Sequence, residues 1–141
     1  MFVAFGDVCS FKGRKGAVFM TNKVRKVLLV DDDQAISEAI KEALMRVGIK
    51  VVHAETVESA ENIFDEHSFD AVLLDANVNG GIDNSVRFLG KMRNNGYLGM
   101  VVGISGCDDS NTVLRQHGAQ RCISKMSVVR NLWGLFKPDQ A

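Results

Sequence analysis

Proline is almost missing from this chain: there is one, Pro138, in 141 residues. That excludes collagen-like repeats and PxxP arrays. Cysteine is scarce as well. Cys9, Cys107 and Cys122 are an odd number with no C-x-x-C spacing, which argues against a disulfide framework or a thiolate zinc site. A reducing compartment is the expectation, and with it a cytoplasmic location. No apolar run approaches the roughly 20 residues that a membrane helix needs. Net charge is also absent: seventeen Lys and Arg offset seventeen Asp and Glu, so no global field favours nucleic acid or a membrane surface. What remains is a chain 46% hydrophobic and 24% charged, the balance of one globular domain rather than a disordered segment.

The neutrality hides a division. Residues 1–26 carry six basic side chains and one acidic one, Asp7, whereas residues 27–141 carry eleven basic and sixteen acidic ones. The leader is also rich in phenylalanine, with Phe2, Phe5, Phe11 and Phe19 among the chain's eight. It is not a signal peptide, because its basic cluster follows the apolar stretch and no continuous apolar region exists. Residues 1–23 are therefore read as a basic N-terminal extension. They fit either an over-long start before Met20 or a hairpin turning at Lys12-Gly13-Arg14-Lys15, with a membrane or nucleic-acid arm as a third possibility.

From Val27 onward, short apolar runs alternate with segments of helical period. Val27–Val30, Val51-Val52, Ala71–Leu74, Met100–Ile104 and Cys122-Ile123 read as strands. Ile36, Ala39, Ile40, Ala43, Leu44 and Val47 form one helical face that Gly48 stops. Thr56 can cap a second helix through Val57, Ala60, Ile63 and Phe64. A Gly80-Gly81 loop precedes a third, carrying Phe88, Leu89 and Met92 and fading at Asn94-Asn95-Gly96. Asp108-Asp109-Ser110 can cap a fourth, ending at Gly118. Val129, Leu132, Trp133 and Phe136 mark a fifth, closed by Pro138. Apolar strands separated by helices predict parallel pairing with right-handed crossovers, hence a three-layer α/β fold.

In such sheets, ligands bind outside the carboxyl ends of the strands. The first strand ends in Asp31-Asp32-Asp33, the third in Asp75, the fourth in Ser105 and the fifth in Ser124-Lys125. Carboxylates suit a hard cation such as Mg²⁺, and a hydroxyl with an ammonium suits phosphoryl oxygens. One aspartate of the 31–33 run can be a helix cap. Three exceed what capping needs, and like charges held close are costly unless a cation offsets them.

Four segments together carry a family resemblance: Val27-Leu28-Leu29-Val30-Asp31-Asp32-Asp33, Val72-Leu73-Leu74-Asp75, Gly103-Ile104-Ser105-Gly106, and Gly118-Ala119-Gln120-Arg121-Cys122-Ile123-Ser124-Lys125. From about Lys26 to Phe136 the chain resembles the receiver domain of two-component response regulators. The resemblance implies a flavodoxin-like, doubly wound (βα)5 fold with a receiver at 24–137; with only five residues after Phe136, a short tail at 138–141 and no attached DNA-binding or enzymatic output domain are the expectation. It implies that Asp75 accepts a phosphoryl group from a histidine kinase or a histidine phosphotransfer protein, and that the receiver promotes its own phosphorylation and dephosphorylation without being a classical enzyme. Asp31, Asp32 and Asp75 would hold Mg²⁺, with the Asn77 backbone carbonyl as a further ligand. Ser105 and Lys125 would serve the phosphoryl group. A downstream protein would read the outcome.

Three positions depart from the family. Asn79 and Met126 replace usual prolines, and Cys122 replaces a usual aromatic ring. A non-proline cis bond costs about 3–4 kcal/mol, which predicts a trans Lys125–Met126 bond and a reshaped loop. A thiol is too small to act as a swinging ring, so Cys122 is expected to take little part in switching. Two other readings stand beside the first. One is a pseudo-receiver that binds partners without phosphorylation. The other is a haloacid-dehalogenase-type phosphatase, in which Asp31 to Ala35 would be the nucleophile motif; Lys125 then follows Asp108-Asp109 in the wrong order, and Asp75 has no role.

Overall fold

In the computed structural model of the chain, the described residues are 24–106 and 108–130. They alternate between strand and helix: β1 (Lys26–Val30), α1 (Gln34–Arg46), β2 (Lys50–Ala54), α2 (Val57–Glu66), β3 (Ala71–Asp75), a 3-10 turn (Val78–Gly80), α3 (Ile82–Asn94), β4 (Met100–Ser105), α4 (Asp108–Gln116), β5 (Arg121–Ser124) and α5 (Lys125–Val128). The strands form one sheet in the order β2-β1-β3-β4-β5, and every pairing is parallel. This is the expected doubly wound fold. The order reverses between β1 and β3, where such sheets open a crevice.

Burial explains why the strands lack polar alternation. All five residues of β3 are buried. Leu28, Val30, Val72 and Leu74 join a core with Val57 and Ala60 of α2, Phe88, Leu89 and Met92 of α3, and Leu114 of α4. Successive strand residues point to opposite faces. Val27, Leu29 and Leu73 therefore face the other way, and they too are fully buried. Ile40 and Leu44, the buried stripe of α1, cover that second face.

Helix ends follow local chemistry. The Asp33 side chain accepts the Ile36 amide at 3.1 Å, so one member of the acidic run is indeed a cap. Thr56 accepts Ser59 N at 3.0 Å. Gly48, just past α1, adopts φ +85, which favours glycine. Two boundaries differ from the sequence reading. The Gly80-Gly81 loop is in part a 3-10 turn. Asp108, Asp109 and Ser110 form the first turn of α4 rather than preceding it, because β4 runs on to Ser105 and only two residues link strand to helix. The fifth helix starts at Lys125, capped by the Ser124 hydroxyl, which accepts Ser127 N at 3.3 Å. Its expected apolar residues Leu132, Trp133 and Phe136 lie outside the described residues, as do the 1–23 extension, the 138–141 tail, Cys9 and Cys107.

At the sheet's amino-terminal edge, one side chain ties several loops together. Arg93 Nη1 donates to the carbonyls of Tyr97 (2.8 Å) and Gly99 (3.0 Å). Its Nη2 donates to Gly118 O (3.0 Å) and Gln120 Oε1 (2.8 Å). Tyr97 packs edge-on against Phe64 at 5.0 Å and donates its hydroxyl to Phe69 O at 3.0 Å. Its ring lies over Gly99, where a Cβ would collide with it. Hydrogen bonds from a charged donor contribute about 1.5–3 kcal/mol. Arg93→Ala should therefore lower stability by about 2–3 kcal/mol and the melting temperature by roughly 10 °C. Lysine cannot reproduce the four-way fork, so Arg93→Lys should recover less than half of that loss in a thermal melt.

Candidate functional site

The strand ends converge at the opposite edge. Asp31 leaves β1 with its carboxylate fully buried. Its amide continues the β1–β2 ladder, donating to Ala54 O on β2 at 3.1 Å, and the His53 ring bonds its carbonyl at 2.8 Å. Asp32 is exposed, and Asp75, ending β3, is buried. Oxygens of Asp31, Asp32 and Asp75 all lie within 4.8 Å of one another. Ser105 ends β4 on the neighbouring strand, buried, in register with Ser124.

Lys125 reaches into this cluster from the start of α5. Its Nζ lies 3.1 Å from Asp31 Oδ1 and 3.2 Å from Asp75 Oδ2. Asp75 Oδ1 accepts the Asn77 amide at 3.1 Å. Burial pushes the Asp75 carboxyl up to about 6, against the downward pull of the Asn77 amide and the Lys125 ammonium, with Asp31 adding to the rise. For Lys125, burial lowers the pKa, but the carboxylates of Asp75 and Asp31 outweigh it and the ammonium is held above its ordinary value.

One ammonium does not balance three carboxylates. Asp31 Oδ2 is buried and has no hydrogen-bond partner. A buried carboxylate oxygen without a partner is costly, and a hard cation would satisfy it while relieving the repulsion around it. The donor set therefore fits Mg²⁺. The Asn77 carbonyl accepts Gly80 N at 3.1 Å, so the 3-10 turn holds it in place with one lone pair to spare.

Every site residue expected from the sequence thus sits at this edge. Other contributors were not foreseen. His53 holds the Asp31 backbone. Ser85 Oγ donates to the Asp75 carbonyl at 2.5 Å from α3. Asn77 Nδ2 reaches Ser110 Oγ on α4 at 3.4 Å. No residue-type pattern marks such bonds, which depend on how helix and strand meet. The Cys122 thiol donates to the Asn111 carbonyl of α4 at 3.1 Å. Burial raises its pKa, so it remains a thiol donor. The Lys125–Met126 bond is trans, as expected, with Ser124 starting the helix directly.

A family model, the response regulator receiver domain, matches residues 27–135. The chain belongs to this family of two-component signalling domains, not to the haloacid-dehalogenase phosphatases. Solved structures share its fold at low identity. NtrX from Brucella abortus matches with TM-score 0.71 and 20% identity over 81% of this chain and 27% of that one. A CheY-like receiver domain protein from Methanospirillum hungatei JF-1 matches with TM-score 0.70 and 22% identity over 79% and 90%. The isolated NtrX receiver domain matches with TM-score 0.70 and 22% identity over 77% and 92%. The chain spans about a quarter of the full NtrX. No curated protein sequence matches it. Among the described residues, no helix is long and apolar enough to cross a membrane.

Two predictions follow from the charges. Binding to the native state stabilises it, so millimolar Mg²⁺ should raise the melting temperature. Asp32→Asn should raise the metal-free melting temperature and blunt the Mg²⁺ increment; a flat response of the wild type would sink the site. The second concerns pH. The folded chain holds the Asp75 proton up to about pH 6, against an ordinary value of 3.8. The folded state thus binds more protons over that window, and stability falls as pH rises through it. Metal-free melts at pH 4.5 and 7 should show this fall, and Asp75→Asn should flatten it.

Proposed function

We propose that the receiver, residues 24–137, is a phosphorylation switch with Asp75 as its phosphoacceptor. The observation that carries this reading is the Lys125 ammonium shared between Asp31 and Asp75 beside the orphaned Asp31 oxygen. The donor is a phosphohistidine on a histidine kinase or a histidine phosphotransfer protein. An Asp75 carboxylate oxygen attacks phosphorus, the phosphorus–nitrogen bond breaks, and the imidazole leaves with its bonding pair and takes up a proton. The product is an aspartyl phosphate.

Asp31, Asp32 and Asp75 would hold Mg²⁺, with the Asn77 carbonyl as a further ligand. Bound there, the ion supplies Lewis-acid stabilisation of phosphoryl charge. Lys125 leaves the Asp75 carboxylate for the phosphoryl oxygens, and the Ser105 hydroxyl donates to another of them. Water attacking phosphorus later breaks the bond between phosphorus and the Asp75 oxygen, releasing inorganic phosphate and the free carboxylate, so the chain promotes both phosphorylation and its reversal.

Asn77 and Ser110 link the acceptor loop to α4, and Cys122 ties α4 to β5. Movement at Asp75 therefore has a polar route to α4 without an aromatic ring. The missing ring also favours a second reading, a pseudo-receiver that binds its partner unphosphorylated. Intact mass after incubation with Mg²⁺ and acetyl phosphate separates the two. The wild type should gain one phosphoryl group, and Asp75→Asn should gain none. An unmodified wild type would establish the pseudo-receiver.

A further inference from the structure

The peptide that follows Asp75 is held at both of its polar atoms by different elements. Its N–H, on Ala76, donates to Ile104 O of β4 at 3.0 Å. Its oxygen, the Asp75 carbonyl, accepts the Ser85 hydroxyl at 2.5 Å. Ser85 is the fourth residue of α3 and is fully buried.

The strands explain why a side chain is needed there. β1 and β3 stay in register only to Val30↔Leu74, one residue before Asp75. By the ordinary alternation along a strand, the Asp31 amide faces β2 and donates to Ala54 O. The strands part to open the crevice, and the Asp75 carbonyl passes the last rung of the ladder. A buried carbonyl requires a donor. A helix serine ordinarily bonds back to its own helix; Ser85 bonds forward to the strand.

We infer that Ser85 is a positioning residue for phosphoryl acceptance, locking the Asp75–Ala76 peptide so that the Asp75 carboxylate faces Lys125 and the metal ligands. The lock bears on the next peptide too, because the Asn77 amide that binds Asp75 Oδ1 belongs to the Ala76–Asn77 peptide, joined to the held one at Ala76 Cα. Without the hydroxyl, the peptide keeps its anchor on β4 and loses the one on α3. It can then tilt, and the carboxylate turns with it. The inference rests on Asp75 being the phosphoacceptor.

The test compares wild type, Ser85→Ala, Ser85→Thr and Arg93→Ala at saturating Mg²⁺ and acetyl phosphate, with the initial rate read by intact mass. Ser85→Ala should slow modification about tenfold, the scale of a small misalignment. Ser85→Thr, which keeps the donor, should recover most of the rate. Arg93→Ala, destabilised at the far edge, should remain within about twofold of wild type. In the metal-free protein, the Ala76 and Asn77 amide resonances should shift in Ser85→Ala and stay near wild type in Ser85→Thr. A wild type that takes no phosphoryl group overturns the phosphoacceptor reading and this inference with it. A modified wild type alongside an equally fast Ser85→Ala overturns the inference alone. So does an Arg93→Ala as slow as Ser85→Ala, or unmoved Ala76 and Asn77 resonances.

Discussion

Three carboxylates crowded at one end of a sheet are the constraint on which the rest of this structure turns. Like charges at such distances repel, and burial strengthens the repulsion by removing water. The Lys125 ammonium, shared between Asp31 and Asp75, offsets part of it. Its placement needs β5 to lie beside β4 and α5 to begin the moment β5 ends. Asp31 and Asp75 meet only because β1 and β3 are neighbours at the point where the strand order reverses. The topology thus brings together charges that the local sequence keeps 44 residues apart. An electrostatic debt left by one cation is what makes room for a second.

Much of this was legible in the sequence, for identifiable reasons. Strands such as Val27–Val30 and Val72–Leu74 are apolar at consecutive positions because both faces of the sheet are covered, which is the signature of a buried parallel strand. Asp31, Asp75, Ser105 and Lys125 were recognisable because each follows such a run, and the fold places every run's end at the same edge. One of the three consecutive acids was expected to be a cap, and Asp33 is that one.

Apart from the Asn77–Ser110 side-chain pair, what escaped the sequence is a polar side chain bonding to another element's backbone. Ser85 to Asp75, His53 to Asp31 and Cys122 to Asn111 are of this kind. The acceptor is a carbonyl, which every residue has, so no pairing of residue types reveals it. Cys122 shows the cost. Its thiol finds a helix carbonyl, which no residue type marks, because the close approach of α4 to Gly103 brings it within reach. A Cβ at Gly103 would lie 2.7 Å from Leu114 and 3.1 Å from the Cys122 sulfur. The glycine and the small thiol are two halves of one packing arrangement.

The guanidinium of Arg93 gives the molecule a second centre of gravity. It gathers Tyr97, Gly99, Gly118 and Gln120 at the edge remote from the acids. The Arg93 anchor and the acidic cluster therefore occupy opposite edges, joined by the buried apolar stretches of β1, β3 and β4. A lineage of such chains can trade heat tolerance up or down through the loops around Arg93 while its chemical vocabulary at the acidic pole stays unchanged.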